Sequence, residues 1–196
     1  TPFRFGSFTT MGELYVETGL NELRMSNYRR ILSLDSAMVV VQFDKDGVQY
    51  QRKYFISYPD SVMVMKFTAN QSGKQNLILS YCPNSEAKSN LRADGKDGLV
   101  YTGVLDNNGM KFAFRIKAIH KGGTLEAEND RLIVKGADEV VFLLTADTDY
   151  KMNFNPDFKD PKTYVGNDPE QTTRIMMDQA VQKGYDELYR NHEADH

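Results

Sequence analysis

Hydrophobic and polar positions alternate along most of this chain, with a period of two. Met110, Phe112, Phe114, Ile116 and Ala118 interleave with Lys111, Ala113, Arg115 and Lys117, the pattern of a strand with one face buried. His120-Lys121-Gly122-Gly123 supplies a turn, Leu125 and Ala127 a short strand, Asn129-Asp130 a second turn, and Leu132 and Val134 the next strand. Val140-Val141-Phe142-Leu143-Leu144 is apolar on both faces, which predicts a central strand between two layers. Asp147-Thr148-Asp149-Tyr150 ends the run at a polar corner.

The same alternation predicts hairpins upstream. Glu13 to Glu17 is a first strand and Tyr28 to Leu34 a second. Met38 to Phe43 and Val48 to Ser57 are joined through Asp44-Lys45-Asp46-Gly47, whose Asp-Gly pair accepts left-handed conformations. In the return strand Val48, Tyr50, Tyr54 and Ile56 share one side, and Pro59-Asp60 breaks the ladder. Ser61 to Ala69 and Asn76 to Cys82 form another hairpin. Residues 83–98 are mostly polar and read as a mobile loop, after which Leu99 to Asp106 pairs with the strand from Met110. Evenly spaced short strands predict a mainly β protein, an antiparallel β-sandwich of the super-sandwich type, over residues 1–150.

The period changes after Tyr150. Residues 151–167 read as a long irregular connection. A helix then begins at Asp168-Pro169-Glu170, where Asp168 can cap and Pro169 fits the first turn. Ile175, Met176, Ala180 and Val181 supply its apolar stripe, and Gly184 is a stop. Tyr185, Leu188, Tyr189 and His192 recur at i, i+3, i+4, i+7 and predict a second amphipathic helix. Residues 151–196 are thus expected to be a connection with linker helices whose apolar side is covered by a neighbour.

Composition narrows the function classes. The 196 residues carry a formal net charge of −3, with acidic and basic side chains interspersed, so no stripe for nucleic acid or an anionic membrane is present. No apolar run reaches the roughly 18–20 residues of a membrane helix. Cys82 is the only cysteine, which excludes an internal disulfide and a thiolate cluster; its strand position predicts a small buried hydrophobe. There is no tryptophan, and eleven tyrosines would have to serve wherever sugar rings are stacked upon.

Inverting glycoside hydrolysis needs two carboxyl groups roughly 6.5–9.5 Å apart. Among 27 acidic residues, Asp147 and Asp149 stand out at a strand end, against the plainer reading of a turn capped by its own side chains. His120 sits in a hairpin turn and reads as solvated. His192 and His196 are four apart on a helix, a spacing metals accept, but no third ligand is evident and Glu193-Ala194-Asp195 is not the metalloprotease order. Gly122-Gly123 lacks the following helix of a phosphate loop. No catalytic, cofactor or metal residue is assigned.

Three segments carry a family resemblance. Arg131 to Tyr150 stands as Arg-Leu-Ile-Val-Lys-Gly-Ala-Asp-Glu-Val-Val-Phe-Leu-Leu-Thr-Ala-Asp-Thr-Asp-Tyr; upstream lie Tyr28-Arg-Arg-Ile-Leu-Ser-Leu-Asp-Ser-Ala and Tyr54-Phe-Ile-Ser-Tyr-Pro-Asp60. Downstream is Gly184-Tyr-Asp-Glu-Leu-Tyr-Arg-Asn-His-Glu-Ala-Asp-His196. Together they resemble the N-terminal domain of family 95 glycoside hydrolases, the inverting α-L-fucosidase family. The resemblance implies a non-catalytic accessory domain whose parent acts on fucosylated glycans or on α-L-galactosides. It implies that the reacting residues lie in an (α/α)6 barrel after His196, docked through Tyr185, Leu188, Tyr189 and His192. It also implies a periplasmic or extracellular setting, with a signal sequence ahead of Thr1. Family members carry further strands ahead of the part resembling Phe5 to Glu17, so a sheet edge or apolar face is expected to stand uncovered here. A free-standing carbohydrate-binding module, using tyrosines between Tyr150 and Tyr164, and a structural or interaction domain are the alternatives.

Overall fold

The computed structural model describes residues 10–21, 23–83, 87–106, 109–128, 130–151 and 166–196. Two antiparallel sheets face one another, and a helix covers the far side of the larger. The strands are β1 (Gly12–Glu17), β2 (Met25–Ser33), β3 (Met38–Lys45), β4 (Val48–Ser57), β5 (Val62–Ala69) and β6 (Gln75–Pro83). They continue as β7 (Ala87–Ala93), β8 (Gly98–Leu105), β9 (Lys111–Lys121), β10 (Thr124–Ala127), β11 (Arg131–Ala137) and β12 (Glu139–Thr148). The larger sheet has the order β2-β3-β4-β5-β12-β9-β8-β7, and the smaller β1-β6-β11-β10. The chain is a mainly β sandwich, as the alternation predicts.

β12 lies at the middle of the eight-stranded sheet, paired with β5 and β9. Val140, Phe142 and Leu144 point into the space between the sheets with Phe67, Leu77, Leu79, Ile116 and Leu132. Val141 and Leu143 point the other way, into a second core with Met38, Phe55, Val64, Met177, Ala180 and Leu188. Its apolar character on both faces therefore has two causes, a sheet on one side and a helix on the other. The chain crosses from β9 in the larger sheet to β10 in the smaller at Gly122 and Gly123, both at positive φ (68° and 65°). A Cβ on Gly123 would collide with the backbone of Lys135 to Ala137, so only glycine fits that crossing.

The helix α1 (Pro169–Asp195) starts as the sequence predicts: the Asp168 carboxylate accepts from the Glu170 amide, and Pro169 occupies the first turn. Gly184, at φ 71° and ψ 171°, interrupts it, giving two helical stretches at a kink. In the first stretch Thr173, Met177 and Ala180 are buried whereas Ile175 is half exposed. Of the stripe read in the sequence, Ala180 is buried and Val181 packs against the same core, while Met177 takes the inward place and Ile175 turns outward.

Four local expectations are corrected. Ser61 to Ala69 and Asn76 to Cys82, read as a hairpin, lie in different sheets: β5 pairs with β4 and β12, and β6 with β1 and β11, because the turn between them carries the chain across the sandwich. Residues 87–93, read as part of a mobile loop, form β7, an edge strand in register with β8 from Ala87↔Leu105 to Ala93↔Leu99. An edge strand offers one half-covered face, so only Ala87, Leu91 and Ala93 turn inward and the segment looks polar. Cys82 is exposed, not buried. It faces Glu13 across the ladder on the outer side of β6, while Leu77, Leu79 and Tyr81 take the inner side. The nominally polar side of β9 is covered too: Ala113 and Arg115 are buried, Arg115 paired with Asp94. The expected connection over 151–167 lies almost wholly outside the described residues.

Candidate functional site on the helix-bearing face

Phe55 of β4 is the centre of the helix–sheet contact. Tyr185 and Tyr189 meet its ring edge-on at 5.8 Å between centroids, and the His192 imidazole stacks on it at 4.9 Å. Leu188 is fully buried beneath them. The four residues expected to face a following domain thus pack on the chain's own sheet. Their i, i+3, i+4, i+7 spacing is that of any helix lying on an apolar surface, and it does not say whose surface. The His192 ring nitrogen Nε2 lies 3.0 Å from the Ser36 carbonyl and 3.3 Å from that of Ala37, so Nε2–H donates to the β2–β3 turn. His196 Nε2 reaches the Leu34 carbonyl in the same turn. These two histidines pin a loop with the nitrogens a metal would need.

Charges ring this apolar centre. Asp60, in the β4–β5 turn, accepts from Ser57 Oγ at 2.5 Å, Lys183 Nζ at 2.5 Å and Asn191 Nδ2 at 3.1 Å. Burial alone would raise its carboxyl, but the bonds from Lys183, Ser57 and Asn191 outweigh burial and hold it below the ordinary range. Glu139 sits between Lys66 at 2.7 Å and Lys121 at 3.0 Å. Burial opposes its charge as well, and the two ammonium groups again prevail and lower it. The Lys66 ammonium also lies 4.1 Å from the centre of the Tyr185 ring, joining the ion pair to the aromatic cluster. Burial, followed by the nearby Tyr189, pushes the Tyr185 phenol up to about 12.

The residues singled out in the sequence are not brought together. Asp147 accepts from the Thr148 amide at 2.8 Å, and Asp149 from the Lys111 amide at 2.9 Å. Each carboxylate is engaged by a backbone donor at the end of β12, the behaviour of a capped corner. His120 Nδ1 lies 2.8 Å from the Gly122 carbonyl within its own turn. Tyr150 is half exposed, while Tyr164 lies outside the described residues. Beside the start of α1 an open groove of about 530 Å³ is lined by Lys88, Asn90, Thr102, Lys111, Asp168 and Glu170. Both of its acids are already engaged, Asp168 as the cap and Glu170 with Arg92 at 2.7 Å. The Asp60 and Glu139 clusters escape a reading of the sequence, because their partners lie far along the chain; Asp60 and Lys183 are 123 residues apart.

What these clusters can do chemically is hold charge in place. A general acid for glycoside cleavage needs a carboxyl kept protonated near neutrality. Asp60 and Glu139 are shifted the opposite way, each by direct cationic partners. The face is built as a cross-braced layer. No described helix is long and apolar enough to cross a membrane.

Over 98% of its length the chain is 27% identical to "Probable alpha-fucosidase A" of Aspergillus niger, and over 96% it is 25% identical to "Alpha-L-fucosidase 2" of Arabidopsis thaliana. It spans about a quarter of each (24% and 25%). The solved structure named "Putative kojibiose phosphorylase from human microbiome" superposes with a TM-score of 0.59 over 93% of this chain and 26% of its own, at 9% identity, a likeness of fold. The family model described as "Glycosyl hydrolase family 65, N-terminal domain" matches residues 2–153, which hold the twelve strands of the described residues. On that match the chain belongs to the glycosyl hydrolase family 65 N-terminal domain family.

Proposed function

We propose that this chain is the non-catalytic N-terminal accessory sandwich of a family 95-like glycoside hydrolase. The parent is an inverting α-L-fucosidase of fucosylated glycans, or an α-L-galactosidase, working in the periplasm or outside the cell. The observation that carries the reading is collinearity: two proteins named as fucosidases align with this chain from end to end and continue for three quarters of their own length elsewhere. The direction of the Asp60 and Glu139 shifts supports it, since both carboxyls are fixed as anions within ion pairs. In this reading an (α/α)6 barrel of the same polypeptide performs the bond cleavage. Because Leu188 and His192 are spent on the sheet, the barrel meets the outward side of α1, where Ile175 is half exposed among polar residues.

The test compares the 196-residue chain with the full-length product on α1,2-linked fucosides and α-L-galactosides. The full-length protein should release sugar of inverted anomeric configuration, read by NMR, and the chain alone should release none. Turnover by the chain itself would overturn the reading. Heat on titrating the chain with fucosylated oligosaccharides would make it a sugar-binding module instead.

A further inference from the structure

Between β4 and β5 of the larger sheet and β6 of the smaller lies a narrow crevice of about 10 Å³. That is room for one particle of about the size of water. Arg52 and Phe67 line it from the larger sheet, Gln75 and Leu77 from the smaller, and Thr18 and Leu20 from the segment after β1. Gln75 is the first residue of β6, in step with the inward-facing Leu77 and Leu79, and only 4% of it is exposed. Its amide Nε2 is buried and has no hydrogen-bond partner among the described residues. A buried N–H without an acceptor is costly, so it marks a place where an acceptor belongs.

The second group is a charge. The Arg52 guanidinium lies over the rings of Phe43 and Phe67, 5.1 and 5.9 Å from their centres. Ring faces hold a cation without neutralising it, and no carboxylate lines the crevice. Lys74 lines it as well, and neither cation belongs to an ion pair among the described residues. We propose that this crevice is a binding site for a halide-sized anion, chloride, which accepts from Gln75 Nε2 and balances the charge of Arg52. The lining argues against the other small occupants. A metal cation meets two like charges and no carboxylate. A water accepts from Gln75 but leaves the Arg52 charge unbalanced. Phosphate and sulfate are too large for the space. Chloride held here ties β4 to β6, and so one sheet of the sandwich to the other.

The probe is the halide alone. Crystals of the 196-residue chain in sodium bromide should show an anomalous peak within hydrogen-bonding distance of Gln75 Nε2. In solution, thermal unfolding is compared in sodium chloride and in sodium gluconate at equal ionic strength, gluconate being too large to enter. The midpoint should stand about 3–6 °C higher in chloride at ten times its dissociation constant. Gln75→Leu removes the donor and Arg52→Met the charge while each keeps an apolar stem, and either should abolish the difference between the two salts. The proposal fails if bromide gives no peak in the crevice, because a water stands there or because the Gln75 amide is turned with its oxygen towards Arg52. It fails too if the parent chain unfolds alike in both salts at molar concentration, which would make a bromide peak an adventitious ion only. A difference that persists undiminished in either variant also overturns it. Should a variant not fold, the bromide peak and the two-salt comparison on the parent chain still decide.

Discussion

Asp60 closes the corner between sheet and helix with three donors from two distant parts of the chain. Replacing it with asparagine keeps the shape but removes the charge, and an unmatched amide then faces Lys183. The expected loss is about 2 kcal/mol at neutral pH, the scale of a hydrogen bond to a charged group. The same carboxyl shapes the acid limb of stability. Asp60 and Glu139 are both held below their ordinary values in the folded chain. Between those lowered values and the ordinary carboxylate range the unfolded chain binds more protons, so stability must fall as pH drops through that window. It is fully present above the unfolded values and gone once the folded carboxyls protonate. Urea unfolding at pH 7 and again near pH 3 checks both points. The gap between Asp60→Asn and the parent chain should shrink as pH falls, because the parent loses the stability of its charged carboxylate while the amide does not titrate. A gap that stays constant would mean that charge at Asp60 contributes nothing.

Helix α1 behaves as part of the sandwich, and Gly184 shows how. Its φ of 71° with ψ of 171° is a combination reserved for glycine, and a Cβ there would meet open space. Gly184→Ala therefore incurs a conformational cost without a clash, about 1–3 kcal/mol. Alanine's higher helix propensity favours straightening the kink, but that would lift Tyr185, Leu188 and His192 off Phe55, so packing decides the sign. A stabilising Gly184→Ala, measured by thermal unfolding, would show that the kink is incidental. Leu188→Ala opens a fully buried site in the chain as it stands, and should cost about 2–4 kcal/mol in urea unfolding. An unchanged midpoint would mean that the helix does not rest on this sheet. At this scale the sequence is a good guide to the β3–β4 hairpin, because Asp46-Gly47 acts through local backbone geometry, and a poor one to the β5–β6 and β9–β10 connections, whose turns read alike but whose strands go to different sheets. It is a poor guide to β7 and Cys82, where position at an edge or parity across a ladder decides burial.

At the scale of the molecule, the strand content and the central place of β12 are legible in the chain, since five consecutive apolar residues need cover on both faces. What covers the second face is not, because a helix and another sheet impose the same demand on β12. The amphipathic stripe Tyr185–His192 is equally plain, yet periodicity cannot distinguish a following domain from a surface about 130 residues earlier in the same chain. The structure joins those two unfinished readings: each supplies the partner the other lacks. One consequence separates a linker from a layer. If α1 were only a connector, ending the chain at residue 167 would leave a sandwich of undiminished order. The packing says otherwise, for removal of α1 uncovers Met38, Phe55, Val64, Val141 and Leu143 on one face of the larger sheet. An apolar patch of that breadth is foreign to soluble monomers. The truncated chain is expected to keep its far-ultraviolet β signature while binding a hydrophobic dye and losing cooperative unfolding, the marks of a sheet without fixed packing. A shortened chain that unfolds at the parent's temperature, dye-free and monomeric, would return the helix to the status of a tether and leave Val141 and Leu143 without a reason for their hydrophobicity.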